Sequence, residues 1–396
     1  MSDAALVLNT GSSSIKFGLF DISAAAPVLL CNGLLDEHET KPQLVVRSPA
    51  GEDLYETQRT ASEAGGDALF ADVLGFVEKS FGDCRLRCVG HRIVHGGPEY
   101  SGPVELTEHV VARLDALTPL APLHQPRCLA PVRAISAIRP GLTQIACFDT
   151  AFHDGLAPPA SRFAIPRRYE ERGLRRYGFH GLSFEYVAGR LAEIAPPRVA
   201  GRTVIAHLGN GASLCALRAG RSVDTTMGLT PLDGLVMGTR CGTIDPGVLL
   251  YLLDHEKMSR AAVQHLLYHE SGLLGVSAIS ADMRTLLASG DAAAKEAIDL
   301  FTFRVAQQVA MMASTLQGLD CLVFTGGIGE HSREIRSEIC ARLAWLGVRI
   351  DATANGEARE AIHRHDSAVD VFVIPTNEEL AMAWHCAAVL RQSERP

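Results

Sequence analysis

Three short glycine turns carry much of the chemistry this sequence can support: NTGSSS at residues 9–14, HLGNGAS at 207–213 and FTGGIGE at 324–330. Glycine lets a backbone approach a ligand closely. Successive N–H groups in such a turn form a concave anion site. Asn9, Ser12, Ser14 and Lys16 surround the first turn, so amide, hydroxyl and ammonium groups could close on a phosphate. A plain hairpin tip explains any one of these turns equally well. Three turns following apolar runs, spread over two similar halves, favour phosphate. The Walker pattern GxxxxGK[ST] and the dinucleotide pattern GxGxxG are both missing, as is the protein-kinase signature set.

The elements that must hold these turns follow from the apolar pattern. Alternation predicts strands over 5–9 and 14–21 and in the segments PVLLCNGLLDE and QLVVRSP. Helical spacing runs over 65–81, near 107–117, near 127–138 and over about 293–317, with Gly82 stopping the first. LRCVGHRIVHGG (86–97) reads as a strand ending in a turn, and TQIACFDTAFH (143–153) as a buried strand delivering Asp149. Residues 202–226 repeat the opening pattern of strand, glycine turn with serine, strand. DCLVFTGGIGE then supplies another strand and turn. The halves therefore read as diverged copies of one α/β unit, with boundaries expected at 1–150 and 151–384. A terminal helix at 385–396 is expected to pack back on the first copy.

Composition narrows the function classes. A chain of 396 residues with 47% hydrophobic and 21% charged residues can build two cores. The net charge of -8 argues against general nucleic-acid binding. The arginine-rich RRYEERGLRRYGFHG, interleaved with acids and aromatics, reads as a solvated loop. No run reaches the ~20 apolar residues of a membrane span, and the N-terminus does not read as a signal peptide. The ten cysteines are scattered without metal-like spacing, so most read as small buried hydrophobes in a reducing cytoplasm.

Two hairpins and a third glycine turn are the layout of duplicated actin-like ATPases. NTGSSSIK, GHRIVHGG, FDTAFH, YGFHG, HLGNGAS, GLTPLDGLVMGTRCG, FTGGIGE and PTNEEL, in that order along the whole chain, resemble the acetate kinase family. The resemblance implies two ribonuclease H-like domains with a nucleotide cleft between them, the first on the acceptor side and the second on the nucleotide side. It implies reversible, direct in-line transfer of the γ-phosphoryl group of ATP to acetate, giving acetyl phosphate and ADP. A cytoplasmic homodimer using Mg²⁺, with Mn²⁺ as a substitute, and neither nucleic acid nor membrane as partner is expected.

A short-chain carboxylate has a pKa near that of Glu, about 4.3, so the acceptor is already ionised and needs no general base. The site must supply positive charge and alignment. By resemblance, Arg92 holds the acceptor carboxylate through its planar fork, and Arg240, His180 and His124 stabilise the transferring group. Asp149 is the essential acid, grouped with Asn9 and Glu378 around the metal. Val94, Leu123, Phe179 and Pro231 would meet the acceptor's alkyl end. Ser12, Ser14, Lys16, His207, Leu208, Gly209, Asn210 and Gly211 would meet phosphate. Asp282, Met283, Arg284, Gly327, Ile328, Gly329, Glu330 and His331 would complete the nucleotide site.

Departures from the family pattern fall at Gln125, Leu182, Phe184, Thr243 and His331. They bear on acceptor preference rather than on the reaction, because the charged set is untouched. Propionate is the rival acceptor, since one methylene is worth only about 1–3 kcal/mol in an apolar pocket. A non-carboxylate ATPase or a sugar kinase of the same fold is the rival class; for the sugar kinase Asp149 would have to act as a true base.

Overall fold

The computed structural model describes residues 1–11, 14–36, 43–58 and 66–394. The chain falls into two compact units: Met1–Phe152 with Asn377–Pro396, and His153–Thr376. The return to the first unit comes at Asn377, earlier than the expected residue 385, so the whole helix Glu378–Ser393 belongs with the N-terminal segment.

The first unit is built on eight strands: β1 (Ser2–Thr10), β2 (Ser14–Asp21), β3 (Val28–Asp36), β4 (Gln43–Arg47), β5 (Asp53–Gln58), β6 (Cys84–Ile93), β7 (Val104–Glu105) and β8 (Thr143–Phe148). They lie in the order β5-β4-β3-β2-β1-β6-β8-β7. β1 is buried along nearly its whole length, so its residues are apolar on both faces. It pairs antiparallel with β2 and parallel with β6. Helices Gly66–Ser80 and Gln125–Ile138 pack together over one layer, burying Leu69, Phe70, Val73, Leu74 and Ile135 against Leu6, Leu8 and Phe17. Helix Glu378–Ser393 packs on β1, β6, β2 and β8.

The second unit carries β9 (Arg202–Leu208), β10 (Ala212–Arg218), β11 (Arg221–Thr225), β12 (Cys321–Thr325) and β13 (Asp370–Val373), in the order β11-β10-β9-β12-β13. β9 meets β10 antiparallel and β12 parallel, and β12 meets β13 parallel. The run β3-β2-β1-β6-β8 of the first unit has the same order and the same strand senses. The duplication is therefore topological as well as local. Helix Ala292–Leu316 lies along β9, β10 and β11 with Phe301, Val305, Val309 and Met312 fully buried.

Three details differ from the sequence-based expectation. The segment 202–226 holds three strands, because Arg218 pairs with Arg221 across a two-residue turn in which Ala219 and Gly220 both have positive φ, 52° and 73°. That is the primed turn geometry of tight hairpins, and an alanine there gives little warning in the sequence. The turn after β12 is itself a short helix, Gly326–His331. β5 and the two-residue β7 were not expected from the apolar pattern.

Candidate functional site

In the first unit the ends of β1, β6 and β8 bring a cation and its anions together. β6 pairs with β8 so that Ile93 stands opposite Phe148, and Asp149 N–H donates to Ile93 O at 3.1 Å. This sets the Asp149 carboxylate beside the Arg92 guanidinium. Arg92 Nε donates to Asp149 Oδ1 at 2.9 Å and Nη2 to Oδ2 at 2.7 Å. Nη1 donates to Asn9 Oδ1 at 3.1 Å and lies 3.8 Å from Glu378 Oε2. The Asn9 amide group donates in turn to Glu378 Oε2 at 2.9 Å and to Glu379 Oε1 at 2.8 Å. Burial works against the charge on Arg92, but Asp149 and Glu378 more than offset it, and its pKa lies above the usual arginine value.

This geometry adds a partner to one expected site residue. The Arg92 fork, expected to grip the acceptor, is here engaged bidentately by Asp149. The physical reason is the parallel pairing of β6 with β8, which places the two side chains in the geometry an arginine–carboxylate pair prefers. Glu379, which the sequence reading passed over, shares Asn9 with Glu378; PTNEEL contained the signal as a doubled acid. Asp149, Glu378 and the Asn9 oxygen are all hard oxygen donors, a set that fits Mg²⁺. Such an ion is held by one or two carboxylates together with water and phosphate oxygens. Among the described residues no three His, Cys, Asp or Glu side chains form a metal cluster.

The remaining first-unit candidates are spread along the same strands and the loops that follow them. Lys16 is exposed on β2 opposite Asn9, and Ser14 begins that strand. Ser12 lies outside the described residues. Val94 is buried just after β6, while Leu123 and His124 are half-buried before helix Gln125–Ile138. Gln125 is fully buried and donates to His95 O at 3.0 Å and Leu114 O at 3.1 Å, while its Oε1 accepts from His95 N–H at 3.2 Å. It thus ties the loop after Arg92 to a neighbouring helix.

In the second unit two histidines stack, with ring centroids 4.4 Å apart and planes at 25°. His180 precedes helix Gly181–Ile194, and His207 lies on β9. Each ring is held at Nδ1 by a serine from the other's element or its neighbour. His180 Nδ1 lies 2.9 Å from Ser213 Oγ, and Ser213 stands opposite His207 on β10. His207 Nδ1 lies 2.8 Å from Ser183 Oγ, one turn into the helix that His180 begins, and Thr376 Oγ1 donates to that hydroxyl at 2.9 Å. Ser213 was within reach of sequence reasoning, being the last residue of HLGNGAS; Ser183 and Thr376 were not.

Gly211 sits beneath this pair. A Cβ at Gly211 would lie 2.7 Å from Arg240 Nη2 and 3.2 Å from His180 Nε2, so a cation and a ring nitrogen converge over its backbone. Arg240 Nη1 donates to Pro231 O at 2.5 Å, which holds the guanidinium against the loop leading to it. Pro231 and Phe179 are buried. Thr243, where the family pattern carries an acid, donates to Asp233 Oδ1 at 2.7 Å.

A cavity of about 730 Å³ lies in the same unit. It is lined by Gly209, Asn210, Ala281, Asp282, Met283, Arg284, Leu287, Ala288, Gly327, Ile328, His331, Ser332 and Glu334. Six of the eight residues expected at 282–284 and 327–331 are on this wall, together with Gly209 and Asn210 of the phosphate set. Gly329 and Glu330 are not. Gly329 is buried within the short helix, and Glu330 Oε1 accepts from Gly326 N–H at 2.8 Å and Thr376 N–H at 3.0 Å. A carboxylate satisfying those amides is structural. Leu208 is likewise fully buried on β9. Ala281, Leu287 and Ala288 were missed, because apolar wall residues carry no polar signature in a sequence.

The family model described as the Acetokinase family matches residues 4–384. An acetate kinase of Rhodopseudomonas palustris (strain TIE-1) is 52% identical over 390 residues, covering 97% of this chain and 98% of that protein. A propionate kinase structure from Francisella tularensis superposes with a TM-score of 0.88 at 38% identity, covering 97% of this chain and 98% of that one. An acetate kinase structure from Porphyromonas gingivalis gives 0.86 at 35% identity, covering 98% of this chain and all of that one.

Proposed function

Because the chain belongs to the acetokinase family, we propose that it transfers the γ-phosphoryl group of ATP reversibly to acetate, forming acetyl phosphate and ADP. One observation carries the reading in chemical terms. Arg240 Nη2 and His180 Nε2 converge over Gly211, two residues from Gly209, whose neighbour Asn210 lines the cavity. A phosphoryl group presented from that cavity would meet two donors already in place, which is the preorganisation that phosphoryl transfer requires.

The acceptor arrives as an anion, so no residue need remove a proton from it. With Ser213 donating into Nδ1, the His180 proton is assigned to Nε2, where it can donate to a phosphoryl oxygen. Arg240 supplies positive charge to the equatorial oxygens and is braced by Pro231. His207, Asn210 and Gly211 contact the transferring or bridging phosphate. Arg92 draws the acceptor carboxylate, and Asp149 is the anion that competes with it for the fork. Within the first unit, Val94 and Leu123 are the apolar residues proposed for the acceptor's alkyl end. The base and ribose occupy the cavity walled by Met283, Leu287 and Ile328, with Asp282, Arg284, Gly327 and His331 at its edges. Asn9, Asp149 and Glu378 would hold Mg²⁺, whose chemistry is to neutralise charge on the phosphates.

We further propose a homodimer. Helix Pro246–Asp254 leaves Val248, Leu250, Tyr251 and Leu253 exposed, between 37% and 61%, and buries none of its side chains. An apolar helix of that kind suits a second copy of the chain. A cytoplasmic location accords with the eight buried free thiols; among the described residues no helix is long and apolar enough to cross a membrane.

The deciding experiment is coupled ADP release with ATP and Mg²⁺ in the presence of acetate, propionate, butyrate, glycerol or no acceptor, with acyl phosphate trapped as hydroxamate. Acetate-dependent turnover supports the proposal. Faster turnover with propionate would favour the second reading, which the Francisella relative keeps open. Release that ignores every carboxylate would point to an ATPase and sink both.

A further inference from the structure

We infer that His153 is a positioning residue for the reaction: its imidazole fixes the turn that presents His180. The inference rests on the role proposed for His180, and its evidence lies wholly within the second unit. His153 closes the FDTAFH motif and is 1% exposed. Its Nε2 lies 3.1 Å from Phe179 O and its Nδ1 2.7 Å from Ser222 Oγ.

The direction of these bonds can be worked out. A carbonyl only accepts, so Nε2 carries the proton and donates to Phe179 O. Burial lowers the pKa of His153 to about 4, so the ring is neutral near pH 7 and has one N–H. Its Nδ1 must therefore accept from the Ser222 hydroxyl. The Cys215 thiol, 3.3 Å from Ser222 Oγ, donates to that oxygen in turn. The chain of donors runs Cys215, Ser222, His153, Phe179 O, and all four residues are buried.

What this chain holds is a turn that would not hold itself. Gly178 has φ +79° and His180 φ +60°, on either side of Phe179. A non-glycine residue in the left-handed region persists only where its surroundings over-determine it. The His153 ring also fills the space beneath Gly178, where a Cβ would come within 2.6 Å of its Cδ2. Tyr177 N–H donates to Gly228 O at 3.0 Å on the approach to the turn, and Phe184 N–H donates to His180 O at 3.0 Å beyond it. His153 supplies the bond at its middle. Loss of that bond would let the 178–180 backbone relax and carry the His180 ring off its position over Gly211.

The test compares wild type, His153→Leu, His153→Gln and Ser222→Ala. Glutamine can return an N–H to the place of Nε2; leucine cannot. A 1 Å misplacement can cost about 100-fold. The expected result is a fall of about 10- to 100-fold in kcat for His153→Leu, with KM for ATP within about two-fold. His153→Gln should recover most of the loss, and Ser222→Ala, which removes the donor that steadies the ring at Nδ1, should fall in between. The ring signals of His180, assigned by NMR with a His180→Gln variant, should shift in His153→Leu and return in His153→Gln. Folded His153→Leu and Ser222→Ala with wild-type kcat and unmoved His180 signals would overturn the inference. If His153→Leu does not fold, Ser222→Ala and His153→Gln decide it by the same two readouts. A wild type without acetate-dependent turnover would instead sink the proposed function, while the NMR comparison would still judge the positioning.

Discussion

Replacing Arg92 by alanine tests the heart of the first-unit cluster. The guanidinium makes two bonds to Asp149 at 2.9 and 2.7 Å and one to Asn9 at 3.1 Å, and the two charged side chains are 14% and 2% exposed. Solvent therefore screens this pair little. Removing one partner of a buried ion pair costs about 3–5 kcal/mol, because the other charge stays buried. At about 2–4 °C per kcal/mol for a unit of this size, the melting temperature should fall by roughly 6–20 °C. Turnover with acetate should fall about 100-fold or more, the scale of losing a donor aimed at developing charge. The control is Arg92→Met combined with Asp149→Leu. Exchanging a buried pair for apolar groups is often neutral in stability, so the double variant should regain most of the lost melting temperature and stay inactive. Calorimetry and the hydroxamate assay read both quantities. An alanine variant melting within about 2 °C of wild type would refute the buried pair, and near-normal turnover would remove Arg92 from the reaction.

Other consequences can be checked alongside. Gly211→Ala places a methyl 2.7 Å from Arg240 Nη2; kcat should drop about 10- to 100-fold with little change in melting temperature, and an active variant would dismiss the convergence of Arg240 and His180. Leu287→Trp, which fills part of the 730 Å³ cavity, should raise KM for ATP about ten-fold and leave kcat nearly unchanged; unaltered ATP kinetics would move the nucleotide elsewhere. His91 and His153 are both held neutral by burial, each with its pKa lowered from 6.5 to about 4. Between those values the unfolded chain binds protons that the folded chain does not, so each should cost about 1.4 kcal/mol of stability per pH unit as pH falls from 6.5 toward 4; a flat unfolding midpoint across that window would contradict the burial of both rings. Leu250→Asp should shift the proposed dimer to monomer in light scattering; a monomeric wild type would remove the dimer, and a dimer that persists in the variant would exclude the helix at 246–254 as its contact.

The sequence by itself determined the local pieces of this protein. Apolar runs set most of the strands, helical spacing placed the long helix at Ala292–Leu316, and the glycine turns with their polar neighbours marked where a phosphate would be met. These are properties of residues close along the chain, where propensity and periodicity act directly. Tertiary structure decided which of the marked residues face one another. Arg92 meets Asp149 because β6 and β8 run parallel in register. Asn9 meets Glu378 because the last helix returns to β1. Glu330 was drawn from the ligand side into backbone amides, and His153, silent in the motif that contains it, became the brace of His180. Apart from the Gly326–Glu330 bond, such pairings join residues tens to hundreds of positions apart. Their geometry depends on strand order and register, to which no short stretch of sequence is sensitive.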